Sequence, residues 1–412
     1  MADTCFVGLE LNEREVRMCV YDTKEKDAVT VMVTVGGKRA ECPAHMAYQE
    51  ENGQWKYGIE ADYFASQKGC ILFDDILERA KSAKAFEVNG KSFPCEEVLA
   101  EFLKQALLLA GIKAPALQMH VLMVTVPQIT KELTKVTEAA FKRMGLGPNQ
   151  AFLQSFDESF FYHTYYQKKE VFTRNTGIFY FPDENSVIFK KMHADHTTKP
   201  ITVTVSDRRE RELSLKTEER DKEFGSFIEE CIGEEDYSSF FLVGKGFDRE
   251  WSKESLGLLC KAHRKVFYGN NLFSKGACFG AREKTSQAEL KNLIFLGGDL
   301  VRKNIGIEML VDGIAMYYPL VTAGVHWYEA ENSCELLLND EKNLVFRVSR
   351  MEDGKKTNYS MALPGLLDRP AKTTRLRVKL QFETAQRCLL TVQDLGFGEL
   401  FPSSGMSWTE TL

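Results

Sequence analysis

The feature that most constrains this chain is a pattern that runs twice. Three bursts of alternating apolar and polar residues open it, at Cys5–Leu11, Val16–Tyr21 and Val29–Thr34. Alternation with period two marks half-buried strands joined as a meander. A turn at Gly36-Gly37-Lys38-Arg39 and a short strand within Cys42–Tyr48 follow. An Asn89-Gly90 hairpin signal precedes a helix over Cys95–Leu109, whose Val98, Leu99, Phe102, Leu103 and Ala106 share one face. His120–Val126, closed by Pro127, reads as a buried parallel strand. Lys131–Met144 reads as a helix stopped by Gly145 and Gly147, and Ala151–Ser155 as a strand. The pattern then returns. Gly177–Phe181, Ser186–Lys190 and Ile201–Val205 form a second meander, followed by a helix around Lys222–Cys231 and a strand at Ser239–Val243. Helices near Ser252–Cys260 and Phe273–Ala281 complete it. Two halves in the same order predict an internally duplicated α/β domain.

Past about residue 300 the helical periodicity ends. Strands at Glu335–Leu338, Leu344–Val348, Leu376–Phe382 and Cys388–Val392, with turns at Glu352-Asp353-Gly354 and Pro364-Gly365, predict an all-β module. A length of 412 residues exceeds one hydrophobic core, so more than one domain is expected. A hydrophobic content of 44% beside 27% charged residues fits a globular protein. The net charge of −6 provides no basic footprint for nucleic acid or an anionic membrane. The longest apolar runs, such as Phe102–Ala110 and Met119–Val126, are too short to cross a bilayer, and the N-terminus lacks a secretory pattern. The 10 cysteines are scattered without a Cys-x-x-Cys pair. Reduced thiols in a cytoplasmic compartment are therefore expected, with an oxidised extracellular form as the alternative.

Local motifs carry little chemistry of their own. Ala85–Ser92 ends in Gly-Lys-Ser but has alanine where a P-loop needs glycine, and its flanks read as a hairpin. His193-Ala194-Asp195-His196 has metal-like composition but reads as a solvated polar turn. Phe156, Phe160, Phe161, Tyr162, Tyr165 and Tyr166 fall at helical spacing, which favours core packing over a partner patch. The mixed-sign run Asp207–Glu223 reads as a solvated element.

In order and spacing the chain resembles the DnaK-type heat-shock chaperones of the actin-like ATPase superfamily. Phe6-Val7-Gly8-Leu9-Glu10-Leu11 is similar to that family's first phosphate strand, Gly58-Ile59-Glu60-Ala61 to its G-x-x-A, and Val124-Thr125-Val126-Pro127 to its V-T-V-P. Leu242-Val243-Gly244 resembles the adenosine loop, Phe273–Ala281 the closing A-x-G-A helix, and Ile305-Gly306-Ile307-Glu308 the start of the peptide-binding sandwich. The resemblance implies an actin-like, duplicated ribonuclease-H-like domain over residues 1–284, with lobes of about 1–170 and 171–284. A linker over 285–300, a β-sandwich over 301–405 and a tail over 406–412 complete the implied architecture. Leu293–Leu296 is similar to the family's apolar linker, and the helical lid that follows the family's sandwich has no counterpart before Leu412.

In that family two glycine-rich hairpins grip ATP through backbone amides. Here the first hairpin carries Glu10, Asn12 and Glu13, and the second carries Pro182, Asp183, Glu184 and Asn185 without a glycine. A carboxylate about 4 Å from a phosphate at an effective dielectric near 20 costs roughly 4 kcal/mol per charge pair. Ile76 stands where the family's catalytic lysine is expected, and little chain separates Val205 from the next helix, so the lobe that covers adenine is missing. Gly244, Lys245 and Gly246 read first as a glycine-rich turn and second as a residual ATP or ADP site. Ile307, Leu310 and Val345 correspond to peptide-contacting positions, with a core role as the alternative, and Arg347 makes one wall polar. The expectation is a non-catalytic, chaperone-like binding or scaffold protein without a cofactor, whose partners are proteins or extended peptides. A slow ATPase using Glu10, Asp183 and Lys245, or an actin-like filament former, is the alternative.

Overall fold

The computed structural model describes residues 5–33, 39–66, 69–206, 208–339, 342–351 and 354–412. The turn at Gly36–Lys38, the end of the third burst at Thr34, Asp207 and the Glu352-Asp353 turn lie outside them. The chain divides into two compact units, residues 1–297 and 298–412.

The first unit is built on two sheets with one plan. In the first sheet, β1 (Cys5–Leu11), β2 (Glu15–Asp22) and β3 (Asp27–Thr30) form an antiparallel meander. Beside β1 run β4 (Met119–Val126) and β5 (Ala151–Ser155), both parallel. The second sheet repeats this order with β6 (Asn175–Tyr180), β7 (Ser186–Asp195) and β8 (Ile201–Val205) as the meander. β9 (Arg209–Glu212) adds to β7, while β10 (Tyr237–Val243) and β11 (Lys265–Tyr268) run parallel beside β6. A central strand flanked by an antiparallel meander on one side and parallel strands on the other needs crossover helices, and the sequence supplies them. These are α1 (Cys95–Leu109) and α2 (Lys131–Arg143) in the first half, and α4 (Thr217–Ile232) and α5 (Lys253–Leu259) in the second.

One more helix closes each half, α3 (Phe156–Tyr165) the first and α6 (Leu272–Glu283) the second. Ser155 starts α3 with a reciprocal capping box to Glu158, which fixes where strand β5 becomes helix. The two helices cross at Gly276, where an added Cβ would stand 1.9 Å from the Ser159 carbonyl oxygen. Phe156 stacks on Phe273 at 3.9 Å in this contact, and Phe160 and Phe161 are buried beside it. Phe156, Phe160 and Phe161 are thus core, as their spacing predicts, whereas Tyr162, Tyr165 and Tyr166 are half-buried.

Three expectations are corrected. The segment 285–300 is not simply a linker: β12 (Leu293–Leu296) pairs in parallel with β8, and Phe295 stacks on Phe161 at 5.0 Å. Short apolar residues beside an open strand edge gain ladder bonds and burial together. His193–Asp195 is the end of strand β7 and not a turn, because it pairs with Thr202–Thr204 and His193 Nδ1 lies 2.8 Å from Asn175 Oδ1. The charged run after residue 207 becomes β9 and the first turns of α4, with Arg220 and Asp221 buried. Asp221 accepts from the Glu254 and Ser255 amides at the start of α5, so charges that read as solvated tie two helices together. Ala85–Ser92 is the hairpin its Asn-Gly signal predicts, with strands Phe86–Val88 and Lys91–Phe93.

Among its described residues the second unit holds eight strands in two four-stranded sheets. One is ordered β14 (Ile314–Val321), β13 (Lys303–Val311), β16 (Asn343–Arg350), β17 (Lys356–Ala362). The other is ordered β15 (Glu331–Leu338), β18 (Thr374–Phe382), β19 (Cys388–Asp394), β20 (Ser407–Thr411). All neighbouring pairs are antiparallel. Inward residues such as Ile305, Phe346, Val378, Leu380, Leu390 and Val392 make one core. The expected tail over 406–412 is the strand β20: Trp408 is buried and donates its indole N–H to the Pro364 carbonyl at 2.9 Å. One aromatic residue on an alternating pattern was enough to recruit it.

Candidate functional site

The hairpin joining β1 and β2 holds the residues expected to meet a phosphate. Asn12 Oδ1 accepts from the Arg14 and Glu15 amides, both at 2.9 Å. An Asx turn of this kind supplies from within the chain the acceptor that an anion would otherwise provide. The hairpin joining β6 and β7 does the same, since Asp183 Oδ1 accepts from the Asn185 amide at 3.0 Å and the Ser186 hydroxyl at 2.7 Å. Burial works against the Asp183 carboxylate, but those donors outweigh it and its pKa lies below the ordinary value. Asn185 itself is exposed.

Between the hairpins lies a buried charge cluster. Glu10 is 2% exposed, its Oε1 accepts from Arg17 Nη1 at 3.3 Å, and its Oε2 has no hydrogen-bond partner. Burial pushes its pKa up to about 7, against the pull of Arg17 and with the help of Glu15. Glu15 is paired with Arg17 and with Lys245. Lys245 therefore spans from the 244–246 loop to the first hairpin, where it meets a carboxylate. Tyr180 has its pKa raised by burial and then by Glu10, Glu13 and Glu15, which reports a negative field in this cleft. Glu13 is partly exposed and accepts from Lys81 Nζ at 2.9 Å.

Gly244 and Gly246 are explained by packing. A Cβ on Gly244 would stand 2.0 Å from the Phe181 carbonyl oxygen, and one on Gly246 would stand 1.9 Å from that of Asp183. The 244–246 loop lies directly on the second hairpin, held by Arg220, which donates to the Gly246 carbonyl at 2.7 Å and lies over Trp251 at 4.4 Å. The Gly244 amide is taken by Asn270 Oδ1 at 2.9 Å. A glycine-rich turn, rather than a phosphate cradle, describes this packing.

Ile76 is buried at the start of the helix Ile76–Lys81, and Lys81, at the end of that helix, joins Lys245 in reaching the first hairpin. Sequence reasoning missed Lys81, Arg17 and Arg220. Arg17 could have been found from register alone, because it lies opposite Glu10 on β2. Among the described residues no group of three or more His, Cys, Asp or Glu is placed to hold a metal ion.

In the second unit a groove of about 730 Å³ brings Ile307, Leu310 and Val345 to one wall region, with Leu336, Leu337 and Leu344. They do not play one role. Ile307 is 4% exposed and packs in the core, whereas Leu310 is 65% and Val345 43% exposed. Residues three apart on a strand point to opposite faces, so Ile307 and Leu310 cannot both present side chains outward. Ile307 is therefore corrected to a core residue. Arg347, opposite Gly306 in the register, pairs with Glu308 and forms the polar side of the groove. β14 adds Ile314, Met316, Tyr317 and Tyr318, all exposed on an edge strand.

Among the described residues no helix is long and apolar enough to cross a membrane. All ten cysteines are free. No curated protein matches the chain. Residues 300–412 match a domain described as Domain of unknown function (DUF8552). Residues 27–298, well over half of the chain, match the Family of unknown function (DUF5716) C-terminal, and the chain belongs to that family.

Proposed function

We propose that this chain is a non-catalytic, chaperone-related binding protein: an actin-like first unit that does not cycle ATP, and a sandwich that takes extended apolar segments. Free cysteines throughout, several with burial raising their thiol pKa, support a reducing, cytoplasmic setting. The repeated strand order of the two sheets supports the actin-like reading.

The observation that carries the proposal is that both hairpins satisfy their own amides through Asn12 and Asp183. A triphosphate entering there would have to displace neutral and acidic side-chain acceptors while facing Glu10, Glu13 and Glu15. Calorimetric titration of the full chain with Mg-ATP and Mg-ADP tests this, and no saturable heat is expected. Turnover of ATP that is abolished by Lys245→Ala would overturn the proposal.

The sandwich reading rests on apolar side chains left in water beside a groove, at Leu310, Ile314 and Val345. An extended segment can lie against such a wall, with main-chain bonds supplying affinity and alternate side chains filling pockets. Anisotropy of a fluorescein-labelled, leucine-rich heptapeptide should show saturable binding, weakened about tenfold by Val345→Glu.

A further inference from the structure

A second cavity in the first unit, of about 390 Å³, lies between the β2–β3 turn, α3, α6 and strands β10 and β11. Its walls are aromatic. Phe241 stacks on Phe267 at 5.2 Å and Tyr166 on Phe279 at 4.3 Å, and within each pair the buried ring, Phe241 or Phe279, backs the more exposed one. Phe267, on the edge strand β11, is 37% exposed. Large rings left in water at a concave site are a common sign of a ligand surface.

The rim is cationic. Lys26, Lys168 and Lys275 line the cavity against a single carboxylate, Asp27, which Lys275 already engages at 2.9 Å. The Arg249 guanidinium lies 3.7 Å from the centroid of the Tyr268 ring and adds positive charge on that side. A positive rim on a chain of net charge −6 is a local feature, since bulk charge runs the other way. His163 also lines the cavity, and its Nδ1 is buried with no hydrogen-bond partner. Burial, assisted by Lys275, holds its pKa near 3, so the ring is a neutral imidazole able to donate or accept one hydrogen bond.

We propose that this cavity binds a small planar aromatic anion, an aryl carboxylate or sulfonate of one or two rings. The ring would lie between the Phe241–Phe267 and Tyr166–Phe279 faces. Its anionic group would sit at the lysine rim, with one oxygen or ring heteroatom completing the hydrogen bond of His163. Aromatic faces select a flat molecule, the lysines select negative charge, and the volume limits the size. No bond is made or broken.

Isothermal calorimetry of the full chain with 2-naphthalenesulfonate is the test, with naphthalene-2-sulfonamide and inorganic sulfate as comparison probes. Saturable one-to-one binding of the sulfonate is expected, with the neutral sulfonamide about threefold to tenfold weaker and no binding of sulfate. Lys26→Gln and Lys168→Gln change exposed side chains and keep the fold, and each should weaken the sulfonate by about twofold to fivefold. His163→Phe removes the ring nitrogen that the ligand would meet and should weaken the sulfonate by about threefold to tenfold. No saturable binding of the sulfonate, equal binding of the neutral probe, or unchanged binding in both lysine variants would each overturn the proposal.

Discussion

Each unit buries an acid against an arginine, and the two pairs behave in opposite ways. In the first unit Glu10 meets Arg17 through one oxygen, and the other oxygen has no partner. In the second, Asp394 receives two bonds from Arg369, at 2.9 and 2.8 Å, and further bonds from the Gly396 amide and from the amide and hydroxyl of Ser404. Burial dominates at Glu10 and raises its pKa to about 7. At Asp394 the Arg369 bonds dominate and hold the carboxyl well below its ordinary value. Both are nearly inaccessible to water, at 2% and 1% exposure, but Glu10 lies deep in the protein and Asp394 close to its surface, so depth and the number of donors together decide the outcome. The first pair occupies the cleft expected to hold a ligand. The second ties the loop after β19 to the segment before β18, where nothing but folding is asked of it.

The largest effect should come from removing one partner of the satisfied pair. Arg369→Ala leaves Asp394 buried without its main counter-charge, and a loss of about 3–5 kcal/mol is expected. Hydrogen exchange across Thr374–Phe382 and Cys388–Asp394 in the full chain measures it. A loss below about 1 kcal/mol would erase the contrast drawn above.

Glu10→Gln should act in the other direction. Glu10 binds its proton more tightly folded, near 7, than at its ordinary value of 4.5. Its contribution is thus fully present below about 4.5 and is lost as pH rises through about 7. The glutamine variant should be more stable than the parent by about 1–3 kcal/mol at pH 8, with the gap closing at pH 5. Urea melts at the two pH values decide this, and a variant less stable at pH 8 would show that the Arg17 contact outweighs burial.

Asn12→Ala removes the acceptor of two hairpin amides and should cost about 1 kcal/mol. Loss of exchange protection at Arg14 and Glu15 alone would confirm a local cap. No change at those two amides would remove the main support for a self-capped hairpin.

Much of the fold was legible in the chain itself. The meanders, α1, β5 and the absence of helix past residue 300 followed from period and turn residues, which act locally. Segments whose structure depends on a distant partner were not legible. Leu293–Leu296 and Ser407–Thr411 look like linker and tail until an open strand edge is beside them. Lys81 and Arg220 gave no local sign of their contacts with Glu13 and Gly246.

The sequence by itself determined that no glycine lies in the second hairpin, that both hairpins carry acids, and that two halves share one order. Those properties are set by residue type and spacing. Only the tertiary structure decided that Asn12 and Asp183 occupy the amides, that Ile307 turns inward while Leu310 turns out, and that aromatic rings and lysines meet around His163. Each depends on which strand or helix lies opposite, and that is settled by packing over hundreds of residues.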